Sequence, residues 1–240
     1  FEENTKSLPS YKNFNVILQT HKSVLKSIVD YIDRIPPFSI SIKKIFNMGT
    51  VLKGFYELHT KVQFNESMCF LFGFCGYLDN MQGIKRNLTN KKMCYGTLQK
   101  KVKKKGASMK IENMYYPALM NETPVKNSFK TKKDFVITGP NASGKTTILK
   151  SILLNLIFTQ QYGCGFYDKF TFVPYKHLHC YLNVPDTSGR DSLFQSESRK
   201  CKEILDIIQQ SKKGSKTDRH FCMFDELYSG TNPEEAIKCG

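Results

Sequence analysis

The chain has 240 residues, is 40% hydrophobic and carries eight cysteines and a formal net charge of +15, room for one large domain or two small ones around a real core. It has no run of eighteen apolar residues, so no membrane-spanning helix is expected. It also has no CxxC pair or regular cysteine spacing, which leaves a reduced, intracellular chain with buried thiols as the expectation.

The first residues, FEENTKSLPS, hold neither an initiator Met nor a signal-peptide pattern, so the chain is expected to be part of a longer product. Residues 1–34 are predicted helical, because Val16, Ile17, His21, Val24, Leu25, Ile28, Val29 and Ile32 fall near i, i+3, i+4, i+7 spacing. Pro36-Pro37 ends that helix. A second apolar-periodic piece over 38–60 is expected to break near Gly49. The aromatics at 64, 70, 72, 74 and 77 are predicted to fill a helical core.

Charge is concentrated further on. Residues 81–133 hold fourteen Lys/Arg against Glu112 and Glu122, which is +12 in 53 residues. Such a band points to a polyanion, most simply nucleic acid, although a solvated lysine-rich surface has the same composition. Lys100, Lys101, Lys103, Lys104 and Lys105, followed by Gly106-Ala-Ser, form a charged tip or linker, and the domain boundary is placed between residues 107 and 108. Pro117 and Pro124 then predict extended edge structure.

The most informative stretch is 135–147, FVITGPNASGKTT. A β-prone run, Phe135-Val136-Ile137, leads into Gly139-Pro140-Asn141-Ala142-Ser143-Gly144-Lys145-Thr146-Thr147, which fits the phosphate-loop pattern G-x-x-x-x-G-K-[ST]. An apolar, helix-length run follows from Ile148 to Phe158. The glycines let backbone N–H groups turn around phosphates, and the new helix adds its positive end. Lys145 can reach β- and γ-phosphate oxygens, and the Thr146 hydroxyl can ligate Mg²⁺.

Downstream, Phe170–Val173 and His179–Leu182 are predicted strands, and Ser192–Gln210 a helix. His177, His179 and Cys180 could be imagined as metal ligands, since alternation puts both histidines on one strand face, but no second ligand pair stands nearby in sequence. The run Phe221-Cys-Met-Phe224 is predicted to be a buried strand that delivers Asp225 to a Mg²⁺ shell. Glu226 then stands where it can orient and deprotonate an attacking water. About eighty residues separate Lys145 from Asp225, a spacing that makes the pair far more specific than either half.

These residues resemble the ATPase of the MutS mismatch-repair family. TGPNASGKTT (138–147) is similar to that family's phosphate loop. Tyr-Pro-Ala-Leu (116–119) and Pro-Val-Lys-Asn (124–127) are similar to its His-Pro and Pro-Asn elements. Ser192-Leu-Phe194-Gln-Ser-Glu197 resembles its Ser-Thr-Phe-x-x-Glu signature, and Asp225-Glu226-Leu-Tyr-Ser-Gly230-Thr231 its Asp-Glu-x-x-x-Gly-Thr segment.

The resemblance implies an α/β P-loop NTPase of the ABC class over 108–240, C-terminally incomplete, behind a helical core or lever-like region over 1–107. It implies a dimer, homo- or heteromeric, that hydrolyses ATP with Mg²⁺ and couples nucleotide state to duplex DNA, including mismatched DNA, in the nucleus or cytoplasm. Lys145, Thr146 and Asp225 would act in cis, Glu226 as the catalytic carboxylate, and Ser192 on the nucleotide of the opposite subunit. Asn127 would lie near the adenine, and Gln161 is the candidate lid glutamine. The family's adenine-stacking aromatic has no counterpart, because Pro124 and Val125 stand there. A transporter nucleotide-binding subunit would need Leu-Ser-Gly-Gly-Gln, which is absent. A non-catalytic DNA-binding or structural module, in recombination or genome maintenance without mismatch recognition, remains the alternative. Phe64-Asn-Glu66 has the letters of a mismatch-reading element but sits too close to the ATPase for that role.

Overall fold

A computed structural model describes residues 1–35, 44–100, 109–131, 134–182, 193–214 and 218–226. The chain divides into two compact units, Phe1–Lys85 and Arg86–Gly240.

The first unit is helical. Its elements are α1 (Glu2–Thr5), a 3-10 turn at Pro9–Tyr11, α2 (Lys12–Ile32), α3 (Lys44–Thr60) and α4 (Val62–Thr89). Helix α3 runs unbroken through Gly49, so the break expected there does not occur. One interior glycine costs about 1 kcal/mol against alanine, too little to interrupt a helix whose other turns favour it.

The aromatic stripe behaves differently from the expected core. Phe14 packs on Phe70 and Phe74 at ring separations of 6.0 and 5.8 Å, and the Tyr11 and Tyr77 hydroxyls are hydrogen-bonded at 2.9 Å. Phe72 points away and is 68% exposed. Positions 70 and 74 share one helix face and 72 stands on another, and each helix meets its neighbour along a single stripe. Among the described residues of this unit only Thr5, Gly54 and Ser67 are buried. The Ser67 hydroxyl is bonded to His21 Nδ1 at 2.9 Å.

The second unit is mixed α/β. Its elements are β1 (Cys94–Tyr95), β2 (Thr97–Leu98), β3 (Met109–Met114), a 3-10 turn at Pro117–Leu119, β4 (Asn127–Thr131), α5 (Lys145–Tyr162), β5 (Cys164–Gly165), β6 (Lys169–Phe172), β7 (His177–Tyr181), α6 (Leu193–Gly214) and β8 (His220–Phe224). A four-stranded sheet has the order β2-β6-β3-β4, while β1-β5 and β7-β8 form two-stranded pairs. Strand β2 runs parallel to β6, β3 runs antiparallel to both β6 and β4, and β7 and β8 are parallel. β4 lies at the edge, as the neighbouring prolines require. Because β1 and β2 pair with strands of this unit, the unit takes in residues well ahead of position 108.

The core lies where α5 covers the sheet. Met109 and Ile111 alternate inward along β3, and Ile152 and Leu156, one turn apart on α5, meet Tyr167, Phe170 and Phe172. All are at most 1% exposed. At roughly 1.5–3 kcal/mol for each such side chain, this layer anchors α5, and hence the loop that precedes it. A polar network runs through the same layer. Asn155 is fully buried; its Nδ2 donates to the carbonyls of Tyr115 at 3.2 Å and Ser151 at 2.9 Å, and its Oδ1 accepts the Phe166 N–H at 2.6 Å. Thr159 Oγ1 bonds the Asn155 carbonyl and the Tyr167 hydroxyl. Burial pushes the Tyr167 phenol up to about 12.

Two expectations near the phosphate loop are corrected. Residues 134–138 form no strand, and Val136 is 87% exposed. β-prone side chains without a hydrogen-bonded neighbour do not make a strand. β8 is not a fully buried strand either: of its five residues only Met223 is buried, because β8 has one strand partner, β7, among the described residues.

Candidate nucleotide site

The loop before α5 departs from ordinary backbone at two alternate positions. Ala142 has φ 61° and Gly144 φ 90°, an alternation that turns successive N–H groups to one side as an anion-binding nest. Gly144 is the N-cap of α5 and provides no side-chain cap, so the first N–H groups of the helix stay open to a ligand. At Gly139 a Cβ would come within 2.9 Å of Ser143 Oγ.

The loop and β8 meet at a hollow of about 360 Å³ lined by residues 141–147 and Glu226. Lys145 Nζ donates to the carbonyls of Gly139 at 2.9 Å and Pro140 at 3.1 Å, so its ammonium lies over the loop. Thr146 Oγ1 donates to Asp225 Oδ2 at 2.6 Å. The Asp225 N–H is bonded to the Tyr181 carbonyl at 2.9 Å, which continues the parallel β7-β8 pairing one residue past β8 and fixes where the carboxylate projects. Glu226 holds φ 50°, a left-handed conformation that costs a non-glycine residue roughly 1–2 kcal/mol; such strain collects at functional positions.

This donor set fits a magnesium–nucleotide. The nest, the open helix terminus and a lysine suit a polyphosphate, and a hydroxyl beside a carboxylate supplies the hard oxygens that Mg²⁺ takes.

Residues 79 positions apart in sequence, Thr146 and Asp225, are therefore in direct contact, and Glu226 lines the adjoining hollow. Asn127 is not among the residues lining it. It opens β4, and its Nδ2 donates to the Val125 carbonyl at 3.3 Å. Gln161 lies in the last turn of α5, about 24 Å along the helix from Lys145 at 1.5 Å per residue. Ser192, Gly230, Thr231 and the lysines at 101, 103, 104 and 105 lie outside the described residues, while Lys100 is described and exposed. Glu197 is 3% exposed on α6, and its Oε2 has no hydrogen-bond partner among the described residues.

Two features escape sequence reading. Tyr181 holds Asp225 through its carbonyl, which no side-chain pattern encodes. His220, on β8, joins the two histidines of β7: His179 Nε2 and His220 Nδ1 are 3.0 Å apart, His220 Nε2 and Ser211 Oγ 2.7 Å, and the His177 ring stacks on His220 at 4.5 Å. The column is tied by hydrogen bonds, and no group of three or more His, Cys, Asp or Glu able to hold a metal occurs among the described residues. Likewise no described helix is long and apolar enough to cross a membrane.

No family model matches the chain. Over 135 residues, 55% of this chain, it is 30% identical to a protein named Endonuclease MutS2 from Staphylococcus haemolyticus, of which the match covers 16%. A protein of the same name from Staphylococcus aureus is 30% identical over 141 residues, 57% of this chain and 18% of that protein. The match thus spans about a sixth of the length of these curated relatives. Across somewhat more than half of the chain, the similarity supports a relationship to the MutS family.

Proposed function

We propose that the second unit is an ATP-binding and ATP-hydrolysing module of the ABC class, MutS-related, that couples its nucleotide state to duplex DNA as a dimer. The observation that carries the reading is the contact of Thr146 Oγ1 with Asp225 at 2.6 Å across a hollow rimmed by the glycine loop and Glu226. The Lys145 ammonium transfers from loop carbonyls to phosphate oxygens when a nucleotide enters, exchanging two neutral acceptors for charged ones. Thr146 and Asp225 would hold Mg²⁺, which would supply positive charge against that developing on the phosphoryl oxygens. Glu226 orients the attacking water and takes its proton. Ser192, immediately before α6, completes the site of a second copy or a homologous subunit.

Genome maintenance without mismatch recognition is favoured over mismatch repair. The relatives carry the name Endonuclease MutS2. Endonuclease activity is not carried over, because the match reaches only a sixth of those proteins.

The test is steady-state ATP turnover, with and without duplex DNA, by wild type and Glu226→Gln. Loss of a positioned base costs about 10²–10⁴-fold in rate, so the variant should keep nucleotide affinity and lose turnover by that factor. Equal turnover by both proteins would remove Glu226 from the mechanism. No turnover by either, with ATP still bound, would favour the non-catalytic module.

A further inference from the structure

A second hollow, about 660 Å³, lies on the same unit and shares no lining residue with the nucleotide site. Three cations from three separate segments line it: Lys100 just past β2, Lys176 just before β7 and Arg219 just before β8, together with Asp218 and Gln99. We propose that this hollow is a contact for the phosphodiester backbone of nucleic acid, on the ATPase unit itself. The inference deepens the duplex-DNA part of the reading above and rests on it.

The walls of the hollow are held in place by backbone bonds and by the Arg219 stack. The Arg219 guanidinium stacks over the Tyr175 ring at 4.4 Å, and its Nη1 donates to the Val173 carbonyl. Those contacts fix the plane of the fork while leaving other N–H donors for an anion. The N–H groups of Lys176 and His177 both bond the Arg219 carbonyl, at 2.9 and 3.2 Å, so Lys176 and Arg219 are locked in register at the start of the β7-β8 pair. On the other wall, the Gln99 N–H bonds the Phe172 carbonyl at 2.8 Å and holds the approach to Lys100. A phosphate contact made by Arg219 in this setting loses little side-chain freedom on binding.

The charge of the hollow suits an anion. Asp218 is paired with Lys176 at 2.8 Å, and that ammonium holds its carboxyl below the usual range. With Asp218 neutralising one cation, the hollow keeps a formal surplus of two positive charges. The sequence continues from Lys100 through Lys101, Lys103, Lys104 and Lys105, inside the stretch that carries +12 over 53 residues. A single nucleotide or phosphate would be served by the hollow alone; a band of this extent matches a repeating polyanion.

The experiment uses the full chain and fluorescein-labelled duplex DNA, with anisotropy measured across about 50–200 mM salt. Lys100→Gln and Lys176→Gln are exposed changes that leave the Arg219 stack in place. Each should weaken binding and reduce the magnitude of the slope of log K against log salt by about 1, and the double variant by about 2, with Mg–ATP affinity unchanged as the folding control. Wild-type binding with an unaltered slope in the double variant would overturn the hollow while leaving the DNA reading intact. Absence of salt-dependent DNA binding by wild type would overturn both. Competition by poly-glutamate as effective as competition by unlabelled duplex would overturn the assignment to nucleic acid.

Discussion

Asn155 offers the sharpest test of how α5 is held behind the phosphate loop. In Asn155→Ala the Phe166 N–H and the Tyr115 carbonyl lose their side-chain partner inside a fully buried layer. An orphaned buried group costs about 1–3 kcal/mol, so two cost about 2–6, with a small further loss from the vacated amide volume. Helix propensity moves the other way by at most about 0.7 kcal/mol. A net loss of about 4 kcal/mol lowers the Tm of a unit this size by about 8–16 °C. Ser151→Ala serves as the control: the Ser151 hydroxyl only returns a bond to the Thr147 carbonyl of its own helix, so its removal should cost about 1 kcal/mol or less. Differential scanning calorimetry of the full chain, with amide exchange at Phe166 to localise the effect, reads both. If Asn155→Ala cost no more than Ser151→Ala, the network would not be what fixes the helix.

The remaining predictions concern the histidine column and the loop backbone. Burial, reinforced by His220, His177 and Lys200, pulls His179 below its ordinary value. Its unfolded form therefore binds more protons near pH 6, and the neutral His179–His220 bond contributes stability above about pH 6.5 that is lost as pH falls through the folded value. Urea midpoints should drop more steeply between about pH 7 and pH 5.5 for wild type than for His179→Gln; parallel curves would refute the assignment. Gly144→Ala meets no side chain but must hold φ 90°. It should lose about 1–2 kcal/mol by backbone strain alone, and nucleotide affinity measured by calorimetry should fall with it; unchanged stability and affinity would mean the loop does not need that conformation.

Much of the site was legible because it is local. Gly139 to Thr147 is a contiguous pattern; α5 follows from an apolar run of helical length, and α6 from apolar residues such as Cys201, Ile204, Leu205 and Ile208 that recur on one helix face. What was not legible depends on partners distant in sequence. Phe135 to Ile137 has strand composition, yet strand formation depends on a neighbour that no propensity specifies. His220 stands 41 residues from His179 and meets it only because β7 and β8 pair in parallel. The same pairing places Asp225 against Thr146, an association the spacing anticipated without supplying the contact. In the helical unit, periodicity identified the Phe70–Phe74 stripe but could not show that it would be only half covered.

The proposed function requires one magnesium–nucleotide to be held by the loop at 139–147 with Asp225. Calorimetric binding of ATP with and without Mg²⁺, to wild type, Lys145→Ala and Asp225→Ala, reads that requirement. Removing a charge-assisted contact of about 1.5–3 kcal/mol should weaken ATP binding by Lys145→Ala by about 10–150-fold, and Asp225→Ala should lose the Mg²⁺ dependence while keeping residual nucleotide binding. Lys145→Ala binding ATP as tightly as wild type would contradict the account.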